Sequence, residues 1–169
     1  MDYFPDKLYV WSEFWKKMIP LSIDEEFVVV DGFRYLEKQK SKFDHIEKKQ
    51  KQLVVLSQGA IGNTIAEKFL KHYDSFKEYD IKYKLHPGEF DRWQSYPALK
   101  KLSEFRNVEI VKNEIPLYQL FAESSLQIGV FSTALYEGVE FGCDTLLLNI
   151  NGIEYMDRFI ELYDVEVLM

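Results

Sequence analysis

The sequence predicts an α/β fold with a Rossmann-like, doubly wound parallel sheet. Short apolar runs alternate along the chain with longer stretches of helical periodicity, which is typical of successive βαβ units. Most of these runs are β-branched or leucine-rich at consecutive positions, as expected for strands that are buried on both faces of a sheet. The predicted strands are Leu8–Val10, Phe27–Asp31, Leu53–Ser57, Ile81–Leu85, Val108–Val111, Leu126–Phe131 and Thr145–Asn149.

Helical periodicity marks the stretches between these strands. In the first stretch Ile61, Ile65 and Phe69 fall on one helical face, whereas Lys68 falls elsewhere. Pro116 suits the first turn of a helix because its missing N–H would have no partner there. The predicted helices are Ile61–Tyr73, Tyr96–Phe105, Pro116–Ser124, Thr133–Phe141 and Glu154–Leu162.

The segment Arg34–Gln52 is rich in lysine and poor in apolar residues. Such a composition predicts a solvated, partly mobile connection. A role in docking an anionic acceptor or a membrane surface is the alternative. We therefore divide the chain into a lead-in segment, 1–52, which holds the first strands and this connection, and a Rossmann-like domain, 53–169.

Composition narrows the class of protein. A chain of 169 residues with 47% hydrophobic residues suits one globular domain or one half of a two-lobed enzyme. The net charge of −7 argues against nucleic-acid binding, which usually needs a basic surplus. A single cysteine, Cys143, excludes an intrachain disulfide and a cysteine-rich zinc site. The sequence shows neither a signal peptide nor a membrane-spanning run, so we expect a cytoplasmic protein.

The most informative feature is the turn His86–Glu89, here called the His-Pro turn, which follows the strand Ile81–Leu85. Pro87 keeps the His86 backbone extended, and Gly88 allows a ligand to approach closely. An imidazole at the carboxyl end of a strand can donate a hydrogen bond to a phosphate oxygen. A strand-ending turn with an exposed ring is the alternative.

A second turn, Ser57–Gly62, follows the strand Leu53–Ser57 and is here called the glycine turn. Its small residues would leave backbone N–H groups free at a helix N-terminus, where anions bind, so Ser57, Gln58 and Gly59 are candidate nucleotide-binding residues. The spacing matches neither a dinucleotide fingerprint nor a P-loop. A tight turn capped by Ser57 or Asn63 is the alternative.

A third turn, the Ser-Thr turn, consists of Ser132 and Thr133 at the end of the strand Leu126–Phe131. Its hydroxyls could bind phosphate beside free backbone N–H groups, although capping the next helix would also explain them. Glu137 lies one turn into that helix, where its carboxylate could accept hydrogen bonds from a ribose diol. We interpret Glu89 as a structural residue that begins a helix.

The order and spacing of three segments point to a family. Leu-Ser-Gln-Gly (56–59), Lys-Leu-His-Pro-Gly-Glu (84–89) and Gly-Val-Phe-Ser-Thr-Ala-Leu-Tyr-Glu-Gly (129–138) resemble bacterial sialyltransferases and polysialyltransferases. They are similar, more distantly, to CDP-glycerol-dependent teichoic acid polymerases. The resemblance implies a GT-B glycosyltransferase, which has two Rossmann-like lobes, and it covers roughly residues 53–157.

Site residues follow from the resemblance by motif. His86 and Pro87 match a His-Pro motif that contacts the CMP part of the donor in the sialyltransferases. Ser132 and Thr133 match a downstream Ser/Thr motif with the same role. Glu137 matches an acidic position that often binds the nucleotide ribose in GT-B donor lobes. The resemblance therefore implies that His86 stabilises charge on the leaving phosphate.

One motif of the family is incomplete. Its general base lies in an acidic-acidic-Gly motif of the N-terminal lobe, whereas Asp24-Glu25-Glu26 has no following glycine and Asp31-Gly32 has one acid. We therefore expect the donor-binding half of a longer glycosyltransferase without its acceptor lobe. The expected reaction is CMP-sialic-acid-type transfer to a surface glycan in capsule or lipooligosaccharide synthesis, with the nucleotide sugar as substrate and neither a cofactor nor a metal.

Two rival functions stay open. A UDP-sugar epimerase would share the fold and prefer UDP to CMP. A non-catalytic nucleotide-binding or interaction module would use the lysine-rich segment to dock a partner. The expected partners are a nucleotide sugar, a glycan acceptor and the missing N-terminal lobe, without nucleic acid. Peripheral contact with the inner face of the membrane and self-pairing through exposed apolar surface are also compatible with the sequence.

Overall fold

The strands form two separate parallel sheets in the computed structural model, which describes residues 5–18 and 23–169. The chain divides into two compact units, residues 1–42 and residues 43–169. The functional division into 1–52 and 53–169 stays a prediction.

The smaller unit contains a two-stranded parallel sheet, in which Leu8 pairs with Val28. Its aromatic residues pack together, and the Trp11 ring lies 4.7 Å from that of Phe33, centroid to centroid. The elements are β1 (Leu8–Val10), α1 (Glu13–Met18), β2 (Val28–Val30) and α2 (Arg34–Phe43).

Helix α2 corrects the prediction of a partly mobile connection over Arg34–Gln52. Residues 34–43 are helical, and residues 49–52 already belong to the next strand. The helix buries only Leu36, so it gives little apolar signal. Its lysine, glutamate, glutamine and leucine residues are nevertheless good helix formers, which explains why so polar a segment is ordered.

The larger unit contains a six-stranded sheet with the order β5-β4-β3-β6-β7-β8, in which every pair of neighbours is parallel. This order is that of a Rossmann-like, doubly wound sheet, so the predicted fold class is confirmed. The elements are β3 (Lys49–Leu56), α3 (Gly62–His72), β4 (Asp80–Lys84), α4 (Pro97–Leu102), β5 (Val108–Val111), α5 (Leu117–Glu123), β6 (Ser124–Gly129), α6 (Ala134–Glu140), β7 (Asp144–Leu148), α7 (Asp157–Tyr163) and β8 (Glu166–Leu168).

Burial along β3 explains why this strand is central. Five successive residues, Gln52–Leu56, are buried, which requires cover on both faces of the sheet. Helix α3 covers one face with Ile65, Ala66 and Phe69, which join the core cluster of the strands. The central strands are therefore held rigidly, and the turns at their carboxyl ends start from fixed positions.

The sequence did not predict the edge strand β8. Glu166–Leu168 pairs with β7, and all three residues are at least partly exposed. A strand of three residues with one charged position gives too short a pattern to be recognised without its neighbour.

Neither a membrane-spanning helix nor a metal-binding cluster occurs among residues 5–18 and 23–169. No helix in those ranges is long and apolar enough to cross a bilayer. Within the same ranges, no three histidine, cysteine, aspartate or glutamate side chains are grouped so that they could hold a metal ion.

Candidate functional site

The candidate site lies at the carboxyl edge of the six-stranded sheet, where the strand order reverses. The chain runs from β3 through β4 to β5 in one direction and from β6 through β7 to β8 in the other. Ligands of open α/β sheets bind in the crevice at such a switch point. The glycine turn follows β3, and the Ser-Thr turn follows β6. The His-Pro turn follows β4, so it lies two strand spacings, about 10 Å, from the end of β6.

The His-Pro turn is a short 3-10 helix, Pro87–Glu89, with His86 as its cap. The His86 Nδ1 atom accepts a hydrogen bond from the Gly88 N–H at 3.1 Å. The imidazole is exposed but lies close to Gly59, where a Cβ atom would be 2.8 Å from Nδ1. Because Nδ1 is used within the turn, Nε2 is the ring nitrogen that remains for a ligand.

Glu89 lies beneath this turn with its side chain fully buried. One carboxylate oxygen accepts a hydrogen bond from the His86 N–H at 2.9 Å, and the other accepts one from the Ser57 hydroxyl at 2.9 Å. The buried Tyr83 of β4 is near the same groups. Burial raises the pKa of Tyr83, the Ser57 hydroxyl opposes that rise, and the negative charge of Glu89 adds to it. A buried carboxylate is tolerated only when it is hydrogen-bonded in this way.

The glycine turn joins the other two turns. The Gln58 Oε1 atom accepts a hydrogen bond from the Phe131 N–H at 3.3 Å, next to the Ser-Thr turn. On the other side, the Arg92 guanidinium donates to the Gly59 carbonyl. The Ser57 hydroxyl donates to Glu89 and so helps to fix the turn, and contact between Ser57 and a ligand stays a prediction.

The Ser-Thr turn is built mainly from backbone hydrogen bonds. The Ser132 Oγ atom accepts from the Ala134 N–H at 3.3 Å, and the Ser132 carbonyl accepts from the Leu135 N–H at 3.1 Å. Thr133 is exposed, is the N-cap of α6 and makes no side-chain cap hydrogen bond. Glu137 is half-buried four residues later, on the same helical face as Thr133.

Lys84 orders the loop that leads from β5 to α5. Its ammonium group donates to the carbonyls of Lys112 and Ile115, at 3.1 Å for the latter. Burial lowers the pKa of Lys84, and the Glu114 carboxylate opposes that change. In turn, backbone N–H groups of Glu114 and Lys112 lower the pKa of Glu114. Lys84 and the Glu114 carboxylate, which accepts from the Lys112 N–H at 2.7 Å, therefore both stabilise the loop after β5.

The structure brings the three predicted turns to one edge, but ligand contact by their residues stays a prediction. Sequence reasoning missed the importance of two residues, Glu89 and Lys84. For Glu89 a signal was present, because a glutamate three positions after a capping residue is the spacing of a capping box. That motif ordinarily begins with serine or threonine, and here His86 takes the place. For Lys84 nothing in the sequence indicated its loop contacts.

Comparison with known proteins gives the fold but no family. No protein-family model matches the chain. An uncharacterized protein of Methanocaldococcus jannaschii, MJ1060, is 29% identical over 161 residues, which cover 89% of this chain and 28% of that protein. The chain thus spans about a quarter of this relative.

Two kinds of solved structure share the fold. UDP-GlcNAc 2-epimerase from Methanocaldococcus jannaschii matches with a TM-score of 0.61 at 14% identity, over 96% of this chain and 51% of that one. The wall teichoic acid polymerase TagF matches with a TM-score of 0.53 at 14% identity, over 89% of this chain and 39% of that one. At such identities the likeness concerns the fold alone.

Proposed function

We propose that the unit 43–169 binds the nucleotide of a nucleotide-sugar donor and forms the donor lobe of a glycosyltransferase. One observation carries the proposal: the glycine turn contacts the His-Pro turn on one side and the backbone beside the Ser-Thr turn on the other. The three turns therefore lie side by side at the switch point of the sheet, which is where ligands of open α/β sheets bind. The His-Pro and Ser-Thr turns follow strands that lie two spacings apart, about 10 Å, and this separation suits a phosphate and the ribose attached to it.

In this proposal the His86 Nε2 atom donates to a phosphate oxygen, and the hydroxyls of Ser132 and Thr133 contact the phosphate from the other side. Glu137 accepts a hydrogen bond from a ribose hydroxyl. When the sugar leaves, negative charge grows on the phosphate, and donors already in place stabilise it electrostatically.

Backbone groups complete the proposed nucleotide site. Gln58 and Gly59 contact the nucleotide between the His-Pro turn and the Ser-Thr turn. Pro87 and Gly88 allow the ligand to approach the backbone of the His-Pro turn closely. No cofactor takes part. The acceptor hydroxyl is deprotonated by a general base that we do not place in this unit.

For the reaction of the whole protein we propose sialyltransferase-like transfer from a CMP-linked sugar to a surface glycan. The support is the motif resemblance of the His-Pro and Ser-Thr turns, together with a fold shared with a wall teichoic acid polymerase. A UDP-sugar enzyme is the second candidate, because the fold is also that of a UDP-GlcNAc 2-epimerase, solved in complex with UDP-GlcNAc and UDP. The nucleotide base separates the two candidates.

Calorimetric titration of the chain with CMP, CDP, UMP and UDP tests the proposal. We expect CMP or CDP to bind more tightly than the uridine nucleotides. In His86→Ala we expect affinity to fall at least about tenfold, since a hydrogen bond to a charged phosphate is lost. The matched control is His45→Ala, which removes an exposed histidine from outside the three turns and should leave affinity unchanged.

Each other outcome has a definite meaning. Preference for UDP would favour the epimerase-like candidate over the CMP-linked one. Equal losses of nucleotide affinity in His86→Ala and His45→Ala would mean that His86 does not contact the nucleotide. Absence of binding by all four nucleotides would contradict nucleotide binding by this unit.

A further inference from the structure

Glu89 has a buried position that the proposed nucleotide contacts leave unexplained. Its side chain is 0% exposed, so it cannot touch a ligand at the surface of the turn. Burying a charge is costly, yet both oxygens have partners, one in the His-Pro turn and one in the glycine turn. The carboxylate therefore fastens two of the three turns to each other.

The backbone of α3 is shaped around this carboxylate. A Cβ atom at Gly62 would lie 1.6 Å from the Glu89 Oε1 atom and 2.9 Å from the Ser57 Oγ atom. No side chain can therefore stand at Gly62 while Glu89 keeps its position. The Glu89 carboxylate therefore depends on the space left by Gly62 and on hydrogen bonds from the His86 N–H and the Ser57 hydroxyl.

His86 makes two hydrogen bonds in the turn: its backbone N–H donates to Glu89, and its ring accepts from the Gly88 N–H. Together with Pro87, which already restricts the preceding residue, the hydrogen bond to Glu89 holds His86 in an extended conformation with φ −70° and ψ 143°. From that backbone the imidazole Nδ1 atom reaches the Gly88 N–H. A nitrogen that accepts a hydrogen bond carries no proton, so a neutral ring in this geometry has its proton on Nε2.

We propose that Glu89 is a positioning residue that holds His86 as an Nε2–H hydrogen-bond donor. Glu89 fixes the His86 backbone, the backbone fixes the ring against Gly88, and the ring then presents Nε2–H. The identity of the acceptor, a nucleotide phosphate, rests on the proposed function. The orientation of the ring does not, since it is a property of the protein without ligand.

Three substitutions at one position test the proposal. Glu89→Gln can keep both contacts, because its carbonyl oxygen accepts from the His86 N–H and its amide donates to the Ser57 oxygen. Glu89→Leu removes both contacts. Glu89→Asp keeps the charge but is one methylene too short to reach both partners, and it carries the test if the leucine variant does not fold.

The first readout is solvent exchange of the Gly88 and His86 amides, measured by NMR on the whole chain without ligand. We expect exchange to accelerate at least about tenfold in Glu89→Leu and Glu89→Asp, and to stay near wild type in Glu89→Gln. His86→Ala is the reference, since it removes the acceptor of the Gly88 N–H directly. Unchanged exchange at Gly88 in both the leucine and aspartate variants would overturn the proposal, whether or not nucleotides bind.

The second readout is a double-mutant cycle with CMP as the probe. If Glu89 acts through His86, Glu89→Leu should weaken CMP binding about tenfold in the wild-type background. In the His86→Ala background the same substitution should weaken binding no further. Equal losses in both backgrounds would mean that Glu89 acts on the fold in general, and the positioning role would be wrong. If CMP, CDP, UMP and UDP all fail to bind, the proposed function fails, and the amide exchange rates still decide the role of Glu89.

Discussion

The His-Pro turn and the Ser-Thr turn stand at the same edge of the same sheet but are built differently. The His-Pro turn is fastened from below by a buried glutamate with two side-chain hydrogen bonds. The Ser-Thr turn is held by backbone hydrogen bonds and one 3.3 Å contact of a serine hydroxyl. We therefore expect the wall of the proposed site at the His-Pro turn to be the more rigid one before a ligand arrives.

The contrast extends to the glycines beside each turn. At Gly62 a Cβ atom would overlap the Glu89 carboxylate at 1.6 Å, and that carboxylate cannot move without losing its partners. At Gly129, which precedes the Ser-Thr turn, a Cβ atom would first meet the Leu135 side chain, at 3.1 Å. Leu135 is buried but need shift by only a few tenths of an ångström, so we expect the Ser-Thr side to tolerate such a change more easily.

The largest expected effect comes from substituting these two glycines. Gly62→Ala should lower the free energy of unfolding by about 4 kcal/mol, through overpacking and loss of the charged hydrogen bond, and the gain in helix propensity offsets only part of that. Gly129→Ala should cost about 1 kcal/mol. Urea unfolding of both variants measures the difference. Equal shifts of the two midpoints would contradict the contrast between the turns.

A middle-sized effect should separate the two serines. Ser57→Ala removes a buried donor to a carboxylate and should cost about 2 kcal/mol of stability. Ser132→Ala removes a long, partly buried contact to a backbone N–H and should cost about 0.5 kcal/mol. The two variants delete the same hydroxyl group, so each is the control of the other in thermal or urea unfolding. A larger loss in Ser132→Ala would reverse the assignment of the rigid wall.

A smaller difference should appear between two outer contacts of the glycine turn. Arg92→Ala frees the Gly59 carbonyl at an exposed position, so we expect a stability loss of at most about 0.5 kcal/mol. Gln58→Ala removes the contact to the Phe131 N–H and should cost about 1 kcal/mol, because that amide is partly buried. Unfolding measurements that rank Arg92 above Gln58 would show that the link across the switch point is the weaker one.

The Cys143 thiol, one residue before β7, is an internal reference away from both turns. Cys143 is buried, and burial raises its pKa to about 11 although Lys48 opposes the shift. Because the thiolate is the reactive form, alkylation at pH 8 should be at least about a hundredfold slower than in the urea-unfolded chain, and should accelerate about tenfold per pH unit. Ser132→Ala and Arg92→Ala should leave the rate unchanged. Rapid labelling of the folded wild-type chain would contradict the burial of this region.

Local signals in the sequence were sufficient for much of the fold. Apolar runs such as Val108–Val111 and Leu8–Val10 gave strands with the predicted bounds, because period and composition agree there. The polar helix Arg34–Phe43 was mistaken for a connection, since helix formers without an apolar face resemble a solvated loop. The edge strand Glu166–Leu168 is defined by its partner β7 and had no signal of its own.

For the candidate site, local pattern was enough to identify the polar residues that stand at the ends of strands. His86, Ser132 and Thr133 follow apolar runs, and a residue after a parallel strand reaches the ligand edge whatever the rest of the chain does. The burial of Glu89 between two turns, and the need for a residue without a side chain at Gly62, become visible only in the folded chain. Those facts depend on β3 and β4 being neighbours, and strand order arises from packing across the whole sheet rather than from local pattern.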